Sequence, residues 1–590
     1  MVQTGPAHQG PGEAAGRPGR PPLRPDMTVR QVAADYPGCR EVFRWHGEPG
    51  GRPGAFGHLE PLWRFARRHG LDPAELLREL AEAAGGGIDT HAPAGRLGHR
   101  AFIAAALLVT LTLGATWGAL LLLEIGVKAD FASAGSAAVV AHGETQLWGF
   151  VALFVIGISL QYLPLATGRQ RPGRGLRHLL LATALAGVGG GFVWSLRPGW
   201  LGGVLGPASG GALLAAAVAY AVFVGRQVGA HLRHTWARFV LAAALWLLAW
   251  GGVTLALRVG AADAGPATYT AGQRLLLIHL ALFGFALNAI YGFGRKLLSG
   301  FQASATPRAG LVEAAFWLHN GGAVILAVAG LGLPPLVGFC GVALLTVGGF
   351  CYVAGMRGFR RARHTPTRPE LGPRILDRYV QLAFFWLMAG LALLLAGEAG
   401  WRLRGQSPPH AFLGAVRHAL TVGFMTTLIL GVAQRLLPVL GHTLLAWPQL
   451  VRPVFVLIVA GNLLRVITEL ATPAWPPAFV VMPVSALLEL AALTLFAANA
   501  VRTLWPAPDP LLRTGQVTTD TGAALLLAEH PWLEDELLGW GCGYVGRVRS
   551  VPAELTLGTL LASEGMPTEE TIARINALLQ HEGVAARGRS

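Results

Sequence analysis

The sequence predicts an all-α, polytopic membrane protein: about twelve transmembrane helices in three pseudo-repeats of four, with a small helical domain at each end. Three observations carry this. Hydrophobic residues fill 53% of the 590 positions while Asp, Glu, Lys and Arg fill only 13%, against roughly a quarter in a soluble domain. The apolar residues gather into runs of about 20, the length that a bilayer core about 30 Å thick requires. One histidine-bearing segment recurs three times, four helices apart.

The twelve runs lie near 101–124, 145–166, 178–196, 203–225, 237–257, 275–298, 310–330, 334–356, 379–399, 411–438, 453–471 and 477–501. Each is expected to be a helix, because a single chain in lipid must satisfy its own backbone hydrogen bonds. The net charge is +15. In a soluble protein that would suggest nucleic acid, but here the basic residues sit in short loops, so no nucleic-acid partner is expected. The loops after the even-numbered spans carry Arg169, Arg171, Arg174 and Arg177, then Arg226, Arg233 and Arg238, then Arg295, Lys296 and Arg308, then a run from Arg357 to Arg374. Loops after odd-numbered spans are poorer in charge, apart from Arg402, Arg404 and Arg417. By the positive-inside rule both termini are expected in the cytoplasm, and the protein in a bacterial inner membrane with lipid around it.

Outside the twelve-helix domain (98–504), residues 1–25 are rich in Pro, Gly and Arg and read as disordered. Residues 26–88 and 515–582 read as two small, similar helical domains. Pro37 to Gly47 and Pro531 to Gly541 each span ten residues, and Gly70 matches Gly565 with a one-residue shift. Both resemble a small helical domain of unknown function found in bacteria beside iron–sulfur and hybrid-cluster proteins. That family often carries Cys-x-x-Cys after its central glycine. Here Glu48-Pro49 follows Gly47, and Cys542 alone follows Gly541, so no cluster site is expected. The four cysteines form no such pair and no disulfide framework. A cytoplasmic protein partner is the expectation for these ends.

The threefold pattern is the most informative feature. HGETQLWGFVALFVIGISLQYLP, IHLALFGFALNAIYGFGRKLL and RHALTVGFMTTLILGVAQRLLP each give a histidine, a Gly-Phe pair, an apolar stretch and a polar end. The histidines are His142, His279 and His418, on the second, sixth and tenth spans. An ionisable side chain within a span is costly and usually functional. Neutral imidazole ligates heme iron and copper, and facing helices of a bundle can supply axial ligands. The glycine after each histidine lets a flat macrocycle or a neighbouring helix approach. His142, His279 and His418 are therefore the expected cofactor ligands, converging at one depth. His319, mid-way through the seventh span, is a further candidate metal ligand beside His279, and Glu144 is a candidate supporting group.

These residues resemble the NnrS family, twelve-helix bacterial membrane proteins that bind heme and copper and act in the nitric oxide response. HGETQLWGF is similar to its His-x-Glu…Gly-Phe signature. His418 to Gly423, Arg435 and Gly441-His442-Thr443 resemble its later His-Ala-Leu-Thr-Val-Gly stretch, which ends in Arg and Gly-His-Thr. The segment between Arg435 and Gly441 is longer than the family pattern, and Leu444-Leu445 replace the Gly-Arg that follows it. The resemblance implies a b-type heme, copper as a second metal, nitric oxide as a gas ligand, and supporting roles for Arg435 and His442. It leaves open whether the protein is an enzyme.

The architecture also resembles the large subunit of heme–copper oxidases and nitric oxide reductases, in which histidines of the second and tenth helices hold a heme and those of the sixth and seventh hold copper. The seventh span here lacks the adjacent histidine pair, which weighs against a full catalytic centre. A twelve-helix transporter is the third reading. Transporter repeats usually come as two halves of six, whereas the period here is four helices.

Overall fold

The computed structural model describes residues 98–197, 199–301, 307–330, 333–359, 375–441 and 445–505 of the membrane part. Of the ends it describes 23, 27–36, 39–45, 62, 65–66, 73–84, 516–523, 526–527, 530, 532–547 and 555–587. Among these residues there is no β-strand. The chain divides into two compact units, residues 96–505 and a second unit made of 1–95 with 506–590.

The terminal stretches, read from the sequence as separate domains, group into that second unit, yet each keeps an apolar core of its own. Val32, Cys39, Phe43, Phe65 and Leu80 are buried in one; Leu533, Leu537, Cys542, Leu557 and Ile575 in the other. Leu23 falls in the stretch read as disordered, but it is buried in the first core. The rest of 1–25 lies outside the described residues, as do Pro37, Gly47, Gly70 and Pro531. The Cys39 thiol donates to Leu80 O at 3.2 Å, and burial pushes its pKa up to about 11. It is a neutral, unreactive core group at ordinary pH.

Among the described residues, the membrane unit contains twelve helices long and apolar enough to cross a bilayer. They are α1 (His99–Lys128), α2 (Ser136–Thr167), α3 (Arg174–Leu196), α4 (Gly202–His231), α5 (Thr235–Gly260), α6 (Ala271–Leu298), α7 (Ala309–Ala329), α8 (Pro335–Met356), α9 (Ile375–Arg404), α10 (His410–Pro438), α11 (Pro448–Ala471) and α12 (Ala478–Leu504). The protein is a multi-pass membrane protein. Three helices stand apart: the most apolar stretches of α2, α6 and α10 are 94, 83 and 83% buried, against 28 to 50% in the other nine. These are the three histidine-bearing spans, so they form the centre. The nine others form a surrounding wall that faces lipid.

The wall follows one rule. In each repeat the first helix packs on the central one: α1 on α2, α5 on α6, α9 on α10. The third and fourth pack as a pair: α3 with α4, α7 with α8, α11 with α12. Adjacent repeats join where α4 meets α5 and α8 meets α9, and α12 meets α1 in the same way, which closes the ring.

Glycines make the central contacts possible. Gly149 and Gly157 of α2 receive Val109 and Phe102 of α1; Gly284 and Gly292 of α6 receive Trp246 and Val240 of α5; Gly423 and Gly431 of α10 receive Trp386 and Tyr379 of α9. A Cβ at any of the six would collide with those side chains. The eight-residue spacing does not fit an α-helix, where seven residues make about two turns. Each central helix, however, carries a π-helical segment that overlaps this stretch: Thr145–Ala152, Leu280–Ala286 and Ala419–Thr426. Such a segment absorbs an extra residue, so both glycines of a pair come back to the same face. The glycines of the three Gly-Phe pairs thus admit a neighbouring helix, one of the two roles expected of them.

Candidate functional site

His142, His279 and His418 each lie within the first nine residues of their central helix, immediately before or close to its π-segment. They therefore sit at one end of the bundle, here called the histidine end. The odd-numbered helices α5, α9 and α11 finish at this same end, and each brings ionisable side chains in its last turns.

The surroundings of the three histidines differ. His142 rests against α1 with its ring Cε1 nearest, in a gap that the missing side chain of Gly118 leaves open. Its Nδ1 is 3.0 Å from Gly114 O. A carbonyl only accepts, so Nδ1 carries the hydrogen and Nε2 keeps its lone pair. Gly114 ends a π-helical segment of α1 and also leaves room for Gln146, whose Oε1 accepts from Thr110 at 2.6 Å. His418 follows the same chemistry with different parts. Its Nδ1 is 2.9 Å from Gly414 O and 3.2 Å from Glu469 Oε2 of α11. Glu469 Oε1 pairs with Arg465 at 3.0 Å. His418, Arg417 and Arg465 are close enough to act electrostatically on His142, so the first and third repeats meet here. His279 is buried against Phe283, with ring centroids 5.6 Å apart. Among the described residues its Nδ1 has no hydrogen-bond partner, and Arg402 is the charge that reaches it.

The structure brings His142 and His418 into one neighbourhood and leaves His279 in another. Among the described residues, no group of three or more His, Cys, Asp or Glu side chains is spaced to hold a metal ion. His319, buried in α7, donates from Nε2 to Phe283 O at 2.8 Å. Phe283 lies in the π-segment of α6, so His319 satisfies a carbonyl of that irregular turn, and its Nδ1 is left without a partner among the described residues. Asn288 supports the same turn through Gly284 O at 2.7 Å, and Asn320 bridges Asn288 to the Trp246 indole. Arg435 of α10 pairs with Asp377 of α9 at 2.9 Å, far along the helix from His418. His442 lies outside the described residues.

Glu144 is half of a buried ion pair. Its Oε2 is 2.6 Å from Arg258 Nη2 of α5. Arg258 is only 1% exposed. It also donates to Ser209 Oγ at 2.7 Å, stacks on Trp194 at 5.5 Å, and fits only because Gly191 has no side chain. Glu144 Oε1 and the Trp148 indole nitrogen beside it have no partner among the described residues. The crevice between them is too narrow for a water molecule.

Sequence reasoning missed Arg258, Arg465, Glu469 and Asn462. The signal was present: a lone Arg ends the fifth apolar run, and Arg-x-x-x-Glu interrupts the eleventh. Ionisable residues inside spans are functional candidates whether or not they are histidines. Asn462 is 1% exposed, with neither amide atom bonded among the described residues, and lies against Gly423 beside Trp386.

The donor set suits heme. An axial imidazole needs a free ring nitrogen and a fixed ring, with the other nitrogen donating to a carbonyl or carboxylate. His142 and His418 both meet these conditions. No curated protein shows significant similarity to the chain. The family model described as NnrS protein matches residues 93–507. That stretch spans all twelve helices with His142, His279, His319 and His418, and the chain belongs to the NnrS family.

Proposed function

We propose that this protein binds heme through His142 and His418 and serves in the cell's response to nitric oxide, in a bacterial inner membrane with both termini in the cytoplasm. The single observation that carries the reading is the pair of imidazoles, each with Nδ1 donating and Nε2 left with its lone pair among the described residues. Family membership supports the nitric oxide context. Heme, when bound, would supply a redox-active iron. The chain's own work is to orient the two rings: Gly114 and Gly118 fix one, Gly414 and Glu469 fix the other. Copper is a second proposed metal. His279 is its best candidate ligand, because its Nδ1 is buried and unbonded; His319 offers only Nδ1, its Nε2 being committed to Phe283 O.

A pyridine hemochrome assay on detergent-purified protein tests this. The expected result is heme in the wild type and loss of most of it in His142→Ala and in His418→Ala. Colourless wild-type protein, or variants that retain wild-type heme, would overturn it. A catalytic heme–copper centre has less support, since it needs several imidazoles on one copper.

A further inference from the structure

We infer that Glu469 is a positioning residue for His418: a carboxylate that stands beside the ring and strengthens its free nitrogen as a ligand. The inference rests on the reading of His418 as a heme ligand.

Glu469 sits in the last turn of α11, 2% exposed, in a place where an isolated carboxylate would be costly. Three features account for its presence. Arg465, one turn earlier on α11, holds Oε1 at 3.0 Å. Gly414, one turn before His418 on α10, has no side chain, and a Cβ there would collide with the Glu469 carboxylate. The opening therefore lets the carboxylate reach across from α11. Oε2 then lies 3.2 Å from His418 Nδ1, a charge contact beside the hydrogen bond that Nδ1 makes to Gly414 O, and among the described residues Oε2 accepts no hydrogen bond.

The arrangement is asymmetric in a useful way. Arg465 neutralises one oxygen, while the other faces imidazole. A carboxylate charge beside Nδ1–H polarises the ring and makes Nε2 a stronger electron donor, while the hydrogen bond to Gly414 O stops the ring from rotating. His142 has only a neutral carbonyl behind it, so the two proposed ligands would differ in donor strength. Arg417 and Glu489 also act on this group of charges.

The test is titration of hemin into heme-depleted full-length protein in detergent, read by Soret absorbance and by the reduction potential of the product. Glu469→Gln keeps the shape and removes the charge. Gly414→Ala leaves Glu469 in place but blocks its approach. Both are expected to weaken hemin binding about 10- to 100-fold and to raise the potential, because a weaker donor favours reduced iron. Glu313→Gln, on α7, is the control and should match wild type. If wild type takes hemin and both variants match it in affinity and potential, Glu469 has no such role and this inference falls alone. If wild type takes no hemin, the heme reading falls and this inference goes with it.

Discussion

The second and third repeats start from the same pattern, a histidine five residues before Gly-Phe, and arrive at opposite uses of it. In the third, α11 brings Glu469 and Arg465 to His418 and leaves Asn462 unbonded beside the π-segment. In the second, α7 spends His319 and Asn320 on the π-segment itself, through Phe283 O and Asn288, and His279 is left with a bare Nδ1. One repeat has its polar groups arranged around its histidine, the other around its backbone. Sharing a fold position does not give two residues the same chemistry; the helix that packs alongside decides.

That contrast can be broken experimentally. The largest expected difference is in bound heme. His279→Ala should keep most of what His418→Ala loses, as read by the Soret band per mole of purified protein. Equal losses would mean that all three histidines act as one set.

Next comes stability, where Arg258 and Lys128 offer a matched pair. Each ends an odd-numbered helix and pairs with a glutamate, but the Lys128 and Glu124 side chains are 57 and 40% exposed and the Arg258 and Glu144 side chains 1 and 13%. Removing one partner of a buried pair costs about 3–5 kcal/mol, and an exposed pair is worth at most about 1 kcal/mol. Arg258→Ala should therefore lower the unfolding midpoint in detergent far more than Lys128→Ala. A similar drop for both would show that burial is not what matters.

The smallest effect concerns two glycines of α2. Gly149→Ala meets Val109, whereas Gly143→Ala has open space around it. Overpacking costs about 1–3 kcal/mol, while alanine in an open helical position gains up to about 1 kcal/mol. The two variants should move the midpoint in opposite directions; a shift of the same sign in both would refute the close-packing role assigned to Gly149.

Much of the fold was legible. All twelve spans follow from runs of apolar residues, and the three central helices are those that the histidine–Gly-Phe pattern singles out. What stayed hidden was set by the backbone and by partners. The Gly149–Gly157, Gly284–Gly292 and Gly423–Gly431 pairs have a spacing that looks wrong for a helix, and no residue type announces the π-segments that correct it. His319 resembled a ligand because nothing in its own run reveals that Phe283 O waits across the interface. Glu469 was overlooked because its role depends on a missing side chain at Gly414, more than fifty positions earlier.

The meeting of α12 with α1 has a consequence for assembly. α1 must keep one flank bare until α12 has been made, because it is α12 that covers it. A nascent chain halted before residue 478 would expose to lipid, or to whatever escorts it, the side of α1 that the finished protein hides.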